Sequence, residues 1–270
     1  MTPAPRLNRR TFLQQSAALA ATSLLASRLS PLLHAGEAAR AFRSAWDQAL
    51  DRPWLGAEYW ANPLQDWRVA NGRIECLTAA ADRNVHLLTR QLANRPGTLA
   101  LQVKIGRAGG GPLAGKGSAG FRVGILGTLQ DYPELHDYRN NLWSQPASGF
   151  NAGLSADGSI FLGHPGGPNS AKLDLARDSV VLRLRVAPKG GAYEATLSAH
   201  DPAGGGSLAK VAVASLSGDS LVGNVALVCN YPLGGDGAVN AKGKARKAKA
   251  AATTGSGAGT SRFWFADWQV

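Results

Sequence analysis

The sequence predicts an all-β chain, an antiparallel jelly-roll sandwich preceded by an N-terminal signal helix. Three observations carry that reading. Apolar residues alternate with period two in short runs, as in Leu99-x-Leu101-x-Val103-x-Ile105. Turn residues break the runs at close spacing, among them 33 glycines. After the leader, no helical stretch longer than about 12 residues is apparent, and many short strands with Gly-rich turns indicate a sandwich or barrel.

The elements follow in chain order. Asn8-Arg9-Arg10-Thr11-Phe12-Leu13 is a twin-arginine pair followed by Phe-Leu, and a weakly apolar run from Gln14 to Ala26 comes next. A run of about 13 small and apolar residues suits a signal h-region, whereas a membrane span needs about 20. Leu33-His34-Ala35 places a small residue before a cleavage point. Residues 1–35 are therefore expected to be a twin-arginine signal peptide marked by Arg9 and Arg10. The expected location is periplasmic or secreted, with no transmembrane span. Residues 36–53 read as a linker or short helix, and 54–270 as the sandwich domain.

Within that domain, Trp67-x-Val69, Asn71-Gly72 and Ile74-x-Cys76 form a predicted hairpin, because Asn-Gly tolerates positive φ at both turn positions. Strands are expected at 85–92, 99–105, 120–125, 150–154, 159–162, 180–186, 193–199, 225–229 and 263–270. Asp157-Gly158 marks another hairpin turn, and 106–118 a Gly-rich loop. Asp82-Arg83-Asn84 is expected as a turn holding its own ion pair, and His86 as a satisfied histidine of the core or sheet face. Residues 234–260 are rich in Gly, Ala, Lys and Thr without apolar period, and are expected to be a disordered insertion.

The tetrapeptide D-W-x-V occurs twice, at Asp66–Val69 and Asp267–Val270. In a jelly roll the first and last strands lie side by side. The two copies are expected to be neighbours closing the sandwich through a buried Trp–Trp or Trp–Val pair, unless the repeat is a coincidence of two short strands.

The net charge of +11 does not indicate nucleic acid. The leader holds Arg6, Arg9, Arg10 and Arg28 with no acid, and 240–250 holds Lys242, Lys244, Arg246, Lys247 and Lys249, which leaves +2 for the rest. A nucleic-acid face would be a basic patch on the folded body. The Lys-rich run either touches an anionic envelope polymer or is a solvated tether. The two cysteines, Cys76 and Cys229, fit no zinc spacing. They either pair in an oxidising compartment or stay as buried free thiols.

Several stretches carry a family resemblance. Trp54–Trp67 with Asn71–Cys76, Arg83–Thr89, Gly120–Gly124, Asp137-Tyr138-Arg139, Ala152–Gly158 and Phe263–Trp268 resemble, in that order, the N-terminal domain of bacterial alkaline phosphatase D-like proteins. The resemblance covers about 54–270. It implies a concanavalin A-like (laminin G-like) sandwich, which in those relatives precedes a metallophosphoesterase domain. The D-x-H, G-D-x-x-D and G-N-H-[DE] motifs that would hold two metals are absent from this sequence. The resemblance thus implies an accessory module, with a phosphatase on a separate chain as one partner, or a truncated fragment.

The richest polar stretch is 131–143. His136, Asp137, Tyr138, Arg139, Asn141 and Trp143 combine aromatic faces for stacking on a pyranose with donors and acceptors for its hydroxyls. A glycan or cell-surface polymer is the expected ligand. The alternative is a surface loop whose Asp and Arg satisfy each other. A glycoside hydrolase is the competing class, with Glu134 and Asp137 as an acid/base pair if the loop sets them about 5–9 Å apart across a cleft. The E-x-D-x-x-E strand motif of laminarinase-like sandwiches is absent, as is G-x-S-x-G. No catalytic residue and no cofactor are expected, and a structural calcium stays open. Replacing Trp143 and Arg139 together by Ala is expected to abolish glycan capture in a polysaccharide pull-down, with an unchanged far-ultraviolet circular dichroism spectrum.

Overall fold

The computed structural model describes residues 41–125, 149–231 and 261–270. The signal segment, the 131–143 stretch with all six of its candidate ligand residues, and the 234–260 insertion lie outside the described residues. From Phe42 to Val270 the chain forms one compact unit.

Fourteen described strands build two seven-stranded sheets, with antiparallel pairing throughout. The first sheet runs β1 (Tyr59–Asn62), β4 (Arg83–Leu92), β13 (Gly223–Cys229), β6 (Ser118–Ile125), β7 (Phe150–Ser155), β8 (Ser159–Leu162) and β9 (Ser170–Lys172). The second runs β12 (Ser207–Leu216), β11 (Ala192–His200), β10 (Ser179–Lys189), β5 (Leu99–Arg107), β14 (Phe263–Gln269), β3 (Arg73–Cys76) and β2 (Trp67–Ala70). This is the predicted all-β sandwich. Alternation fills the space between the sheets. Leu101, Val103 and Ile105 of β5 stand opposite Leu184, Leu182 and Val180 of β10, and all six are buried. Each such side chain contributes roughly 1.5–3 kcal/mol of transfer free energy.

The hairpin signals act as their chemistry requires, with one difference. Asn71 and Gly72 take φ +55° and +71°, the paired positive angles of a type I′ turn between β2 and β3. At Asp157-Gly158, by contrast, Ser155 pairs with Ser159, so three residues make the turn and only Gly158 (φ +99°) is left-handed. The edge strand β12 carries a weaker signal than its neighbours. Its residues are at most half-buried, so its apolar alternation is diluted by Ala, Ser and Lys210. The stretch after Ala41, read as linker or short helix, adds to the sandwich: Phe42 and Val270 exchange both backbone hydrogen bonds at 2.8 and 3.0 Å, and Phe42 and Trp46 are buried.

The expectation for the repeated tetrapeptide is corrected. Both tryptophans are buried, Trp67 at 1% and Trp268 at 0% exposure, but their strands are not neighbours. β3 lies between them, because the short Asn-Gly turn folds β3 back between β2 and β14. Trp67 instead meets Phe265, at 6.1 Å between ring centroids. Trp268 is turned inward by a bulge in β14, where the register shifts between Ala266 and Gln269 and Asp267 takes φ +51°. There it packs on Phe42, Trp46 and Tyr59 at 5.8, 6.3 and 6.2 Å. Since Tyr59 belongs to the first sheet and Trp268 to the second, this cluster joins the two at one edge.

The Asp82–Arg83 ion pair is also corrected. Asp82 sits in the left-handed turn before β4, at φ +54°, whereas Arg83 opens the strand, so the two side chains find different partners. Arg83 pairs with Asp66 at 2.6 Å, and Asp82 with Arg122 at 2.9 Å. The two cysteines are buried free thiols.

On the outer face of the second sheet, Glu75 is buried at 5% exposure between two arginines. Arg68 reaches its Oε2 through Nε and Nη2 at 3.1 and 2.7 Å, and Arg73 reaches Oε1 the same way at 3.0 and 2.7 Å. Burial alone would raise this carboxyl, but the hydrogen bonds and charges of Arg68 and Arg73 outweigh it and hold it below its ordinary value. Its stabilisation is complete above the unfolded carboxylate range and is lost as pH falls through the lower folded value.

Two outcomes are expected in urea unfolding. Trp268→Ala costs about 3–5 kcal/mol, the range for emptying a large aromatic site in a core. Glu75→Gln costs about 1–3 kcal/mol at pH 7, and its stability falls less than the parent's below about pH 4.5.

Candidate functional site

The outward face of the first sheet is mostly withdrawn from water and carries a polar set of side chains beside a small apolar cluster of Phe161, Val228 and Tyr231. Strand alternation places Val85, Leu87, Phe121, Val123, Leu154 and Leu227 in the core. Their neighbours in sequence therefore point outward, and the register lines them up. Trp60 stands opposite His86, His86 opposite Ala226, Ala226 opposite Arg122, and Arg122 opposite Asn151. A second rung runs Asn62, Asn84, Val228, Gly120, Gly153, Phe161.

Apart from His86, whose partner is Asn224, the polar side chains of the two rungs join through Asp82 into one connected set of hydrogen bonds. The Trp60 indole N–H donates to Asn62 Oδ1 at 3.0 Å, Asn62 Nδ2 to Asn84 Oδ1 at 3.1 Å, and Asn84 Nδ2 to the Asp82 carbonyl at 3.1 Å. The Asp82 carboxylate accepts from Arg122 Nη1 at 2.9 Å, and Arg122 Nε donates to Asn151 Oδ1 at 2.8 Å. Asp82 is thus the node where the amide chain meets the guanidinium, and it is held at φ +54° with its own N–H on the Asn230 carbonyl at 2.7 Å. Arg122 is 7% exposed, and Asp82 offsets its charge where desolvation makes an unpaired cation costly.

His86 has a defined tautomer. Asn224 Nδ2 donates to the carbonyls of Leu87 and Arg90 at 2.7 and 3.3 Å, which fixes its Oδ1 toward the imidazole. His86 Nδ1 lies 2.9 Å from that oxygen and must donate, so Nε2 keeps its lone pair as an acceptor. Burial lowers the His86 pKa and the Arg122 charge lowers it further, against the opposing effects of Asn224 and Asp82. The ring is neutral at pH 7.

At one end of the same face lies a cleft of about 450 Å³, lined by Lys116, Ser118, Ser155, Asp157, Asn230 and Tyr231. Asn230 builds its wall: Oδ1 accepts from the Ser118 N–H at 3.2 Å, and Nδ2 donates to the carbonyls of Ala79 and Ser261 at 3.0 and 3.3 Å. A side chain at Gly117 would collide with Asn230 Oδ1, 2.6 Å from the Cβ position, so glycine keeps this contact. Tyr231 separates the cleft from the rung. Its ring meets Phe161 edge-on at 5.4 Å and lies 5.8 Å from the Arg122 guanidinium, and its hydroxyl donates to the Phe121 carbonyl at 2.7 Å. Lys116 and Asp157 are the exposed charged groups of the cleft.

None of the six ligand residues expected from the sequence is placed, but the strands on either side of them are. Phe150 begins β7 and pairs with Val123, one rung beyond Arg122 and Asn151, and β6 ends two residues later at Ile125. Trp60, Asn62, Asn84, Arg122, Asn151 and Asn224 were not singled out from the sequence. Their local signal is an outward position in an alternating strand, which an ordinary solvated residue shares. His86 is the satisfied face histidine that its strand context predicts. Among the described residues no group of three or more His, Cys, Asp or Glu comes together to hold a metal. None of their helices is long and apolar enough to cross a membrane.

The class defined by this geometry is a lectin-like β-sandwich of the concanavalin A type. Lectin II from Ulex europaeus is 11% identical with a TM-score of 0.50, the match covering 86% of this chain and 97% of that one. Lectin UEA-II complexed with galactose gives the same values. At that identity the likeness shows the fold alone. No family model matches the sequence, and no curated protein matches it, so neither supports an alkaline phosphatase D-like origin.

In an NMR titration, His86 is expected to stay neutral, with Nε2 unprotonated, to below pH 6.5. The unfolded chain takes up the proton first, so stability is lost as pH falls below about 6.5. A midpoint at or above that value would contradict the buried tautomer.

Proposed function

We propose that this chain is an exported, non-catalytic glycan-binding module whose ligand lies on the outer face of the first sheet. The observation that carries the reading is the Trp60–His86–Ala226–Arg122–Asn151 rung. A half-buried indole supplies an apolar plate for a sugar ring. Further along, Asn151, Asn224 and the His86 acceptor present hydrogen-bonding groups whose orientation is already fixed. That preorganisation reduces the ordering cost of binding a hydroxyl-rich ligand. The cleft beside Tyr231 falls within the usual volume range of small-ligand sites, roughly 300–1,000 Å³.

The loop residues His136, Asp137, Tyr138, Arg139, Asn141 and Trp143 belong to the same proposal. They lie on the connection between β6 and β7, the strands that carry Arg122 and Asn151. Export by the twin-arginine route rests on Asn8-Arg9-Arg10 and the apolar run behind it. The accessory role beside a phosphatase rests on the sequence resemblance described above.

The test is a glycan array and polysaccharide pull-down on residues 36–270, with product analysis of the same incubations. Saturable binding without new reducing ends is expected, weakened about tenfold or more by Trp60→Ala and lost in the Trp143→Ala, Arg139→Ala double variant. New reducing ends that vanish in Asp137→Asn would replace this reading with a sandwich glycoside hydrolase. Binding untouched by Trp60→Ala would move the ligand off this face.

A further inference from the structure

Cys76 ends β3 in the second sheet and Cys229 ends β13 in the first, yet the two thiols meet. Trp264 pairs with Glu75 and Phe265 with Ile74, so the same antiparallel ladder carried one residue further sets Phe263 opposite Cys76. Cys229 lies against Cys76 and the Phe263 backbone, and its neighbour Asn230 donates through Nδ2 to the carbonyls of Ala79 and Ser261 at 3.0 and 3.3 Å, which ties the end of β13 to the segments just after β3 and just before β14. Cys76 Sγ–H itself donates to the Thr78 carbonyl at 3.2 Å. Both residues lie in the main core cluster, at 1% and 0% exposure, and both stand as free thiols.

We propose that Cys76 and Cys229 are a disulfide site that staples the two sheets to each other. Adjacent sulfurs on neighbouring strand ends need little movement to close an S–S bond. The oxidant is a disulfide compound, either a small molecule or a dithiol oxidase. One cysteine thiolate attacks it and releases one thiol. The second thiolate attacks the mixed disulfide and releases the other. Two S–H groups become one S–S bond, and the two protons and two electrons leave on the two released thiols.

The order of events follows from burial. Burial raises the Cys229 thiol pKa and hides its sulfur from an attacking disulfide, and the contact with Cys76 adds to that rise. The bond therefore forms while β13 and β3 are still apart or when their ends open, so a protein folded in its reduced form is oxidised more slowly than the refolding chain. The bridge joins the hairpin at the start of the domain to a strand near its end. A link of that span removes much of the unfolded chain's freedom.

The test uses the full chain, unfolded and refolded either in a mixture of oxidised and reduced glutathione or in a phosphine reductant. The refolded samples are denatured, treated with maleimide and weighed intact. The oxidising sample is expected to be 2 Da lighter and to take no maleimide, whereas the reduced sample takes two. Its unfolding temperature is expected to be higher by roughly 5–15 °C, a difference removed by reduction. Protein first folded with reductant and then given oxidised glutathione is expected to lose its two thiols more slowly than the refolding chain. In Cys76→Ser the 2 Da loss is expected to disappear. Two free thiols after oxidative refolding, or glutathione adducts in place of the internal bond, would overturn the site. An internal bond that left the unfolding temperature unchanged or lowered it would overturn its role as a staple.

Discussion

The last strand holds the second sheet together. β14 lies between β5 and β3, so the β2–β3 hairpin reaches its sheet only through a strand at the far end of the described chain. That placement has a packing consequence and a conformational one. Phe263 and Phe265 enter the core on one alternation, and Trp268 enters on the next only because the bulge at Asp267 adds a residue. Without the bulge, strict alternation would turn the indole to the opposite face and the aromatic contact with Tyr59 would be lost. The left-handed backbone at Asp267 is thus compensated by the burial of a complete tryptophan. Because the partners of β14 were made much earlier in the chain, closing this sheet is a long-range event of the kind that slows β folding.

The first sheet faces a different constraint. Its inward face is apolar, and its outward face carries amides, an imidazole and a guanidinium that are mostly withdrawn from water. Such groups are costly unless each finds a partner, and here they find one another. Asp82 is the residue on which the arrangement turns. Its carbonyl ends the amide chain from Trp60, its carboxylate offsets Arg122, and its amide ties the turn to Asn230 beside the cleft. A face organised in this way holds its donors and acceptors in fixed directions, which a hydroxyl-rich ligand can use and a solvated face of mobile side chains cannot supply.

Much of the architecture was legible in the sequence, because its signals are local. Period-two alternation marked most of the strands, and Asn71-Gly72 set a type I′ turn because both residues tolerate positive φ. The edge strand β12 was obscured where half-burial replaces apolar residues with Ala and Ser. The Asp66 and Asp267 tetrapeptides illustrate a limit of local reading. Each correctly marked a strand with a buried tryptophan, but the identity of the neighbouring strand depends on which hairpin folds back beside which late strand. The Asp82–Arg83 turn shows the same limit at the scale of two residues: Asp82 is left-handed in the turn and Arg83 opens β4, and their partners, Arg122 and Asp66, come from elsewhere in the chain.

By itself, the sequence determined the fold class, most of the strands and the hairpin at Asn71-Gly72. It did so because burial on a strand repeats every second residue. Only the tertiary structure decided which outward residues gather into a rung, that Asn224 fixes the tautomer of His86, and that Cys76 meets Cys229 across the sheets. Those are pairings between strands far apart in sequence, set by register and sheet packing, and no local pattern encodes them.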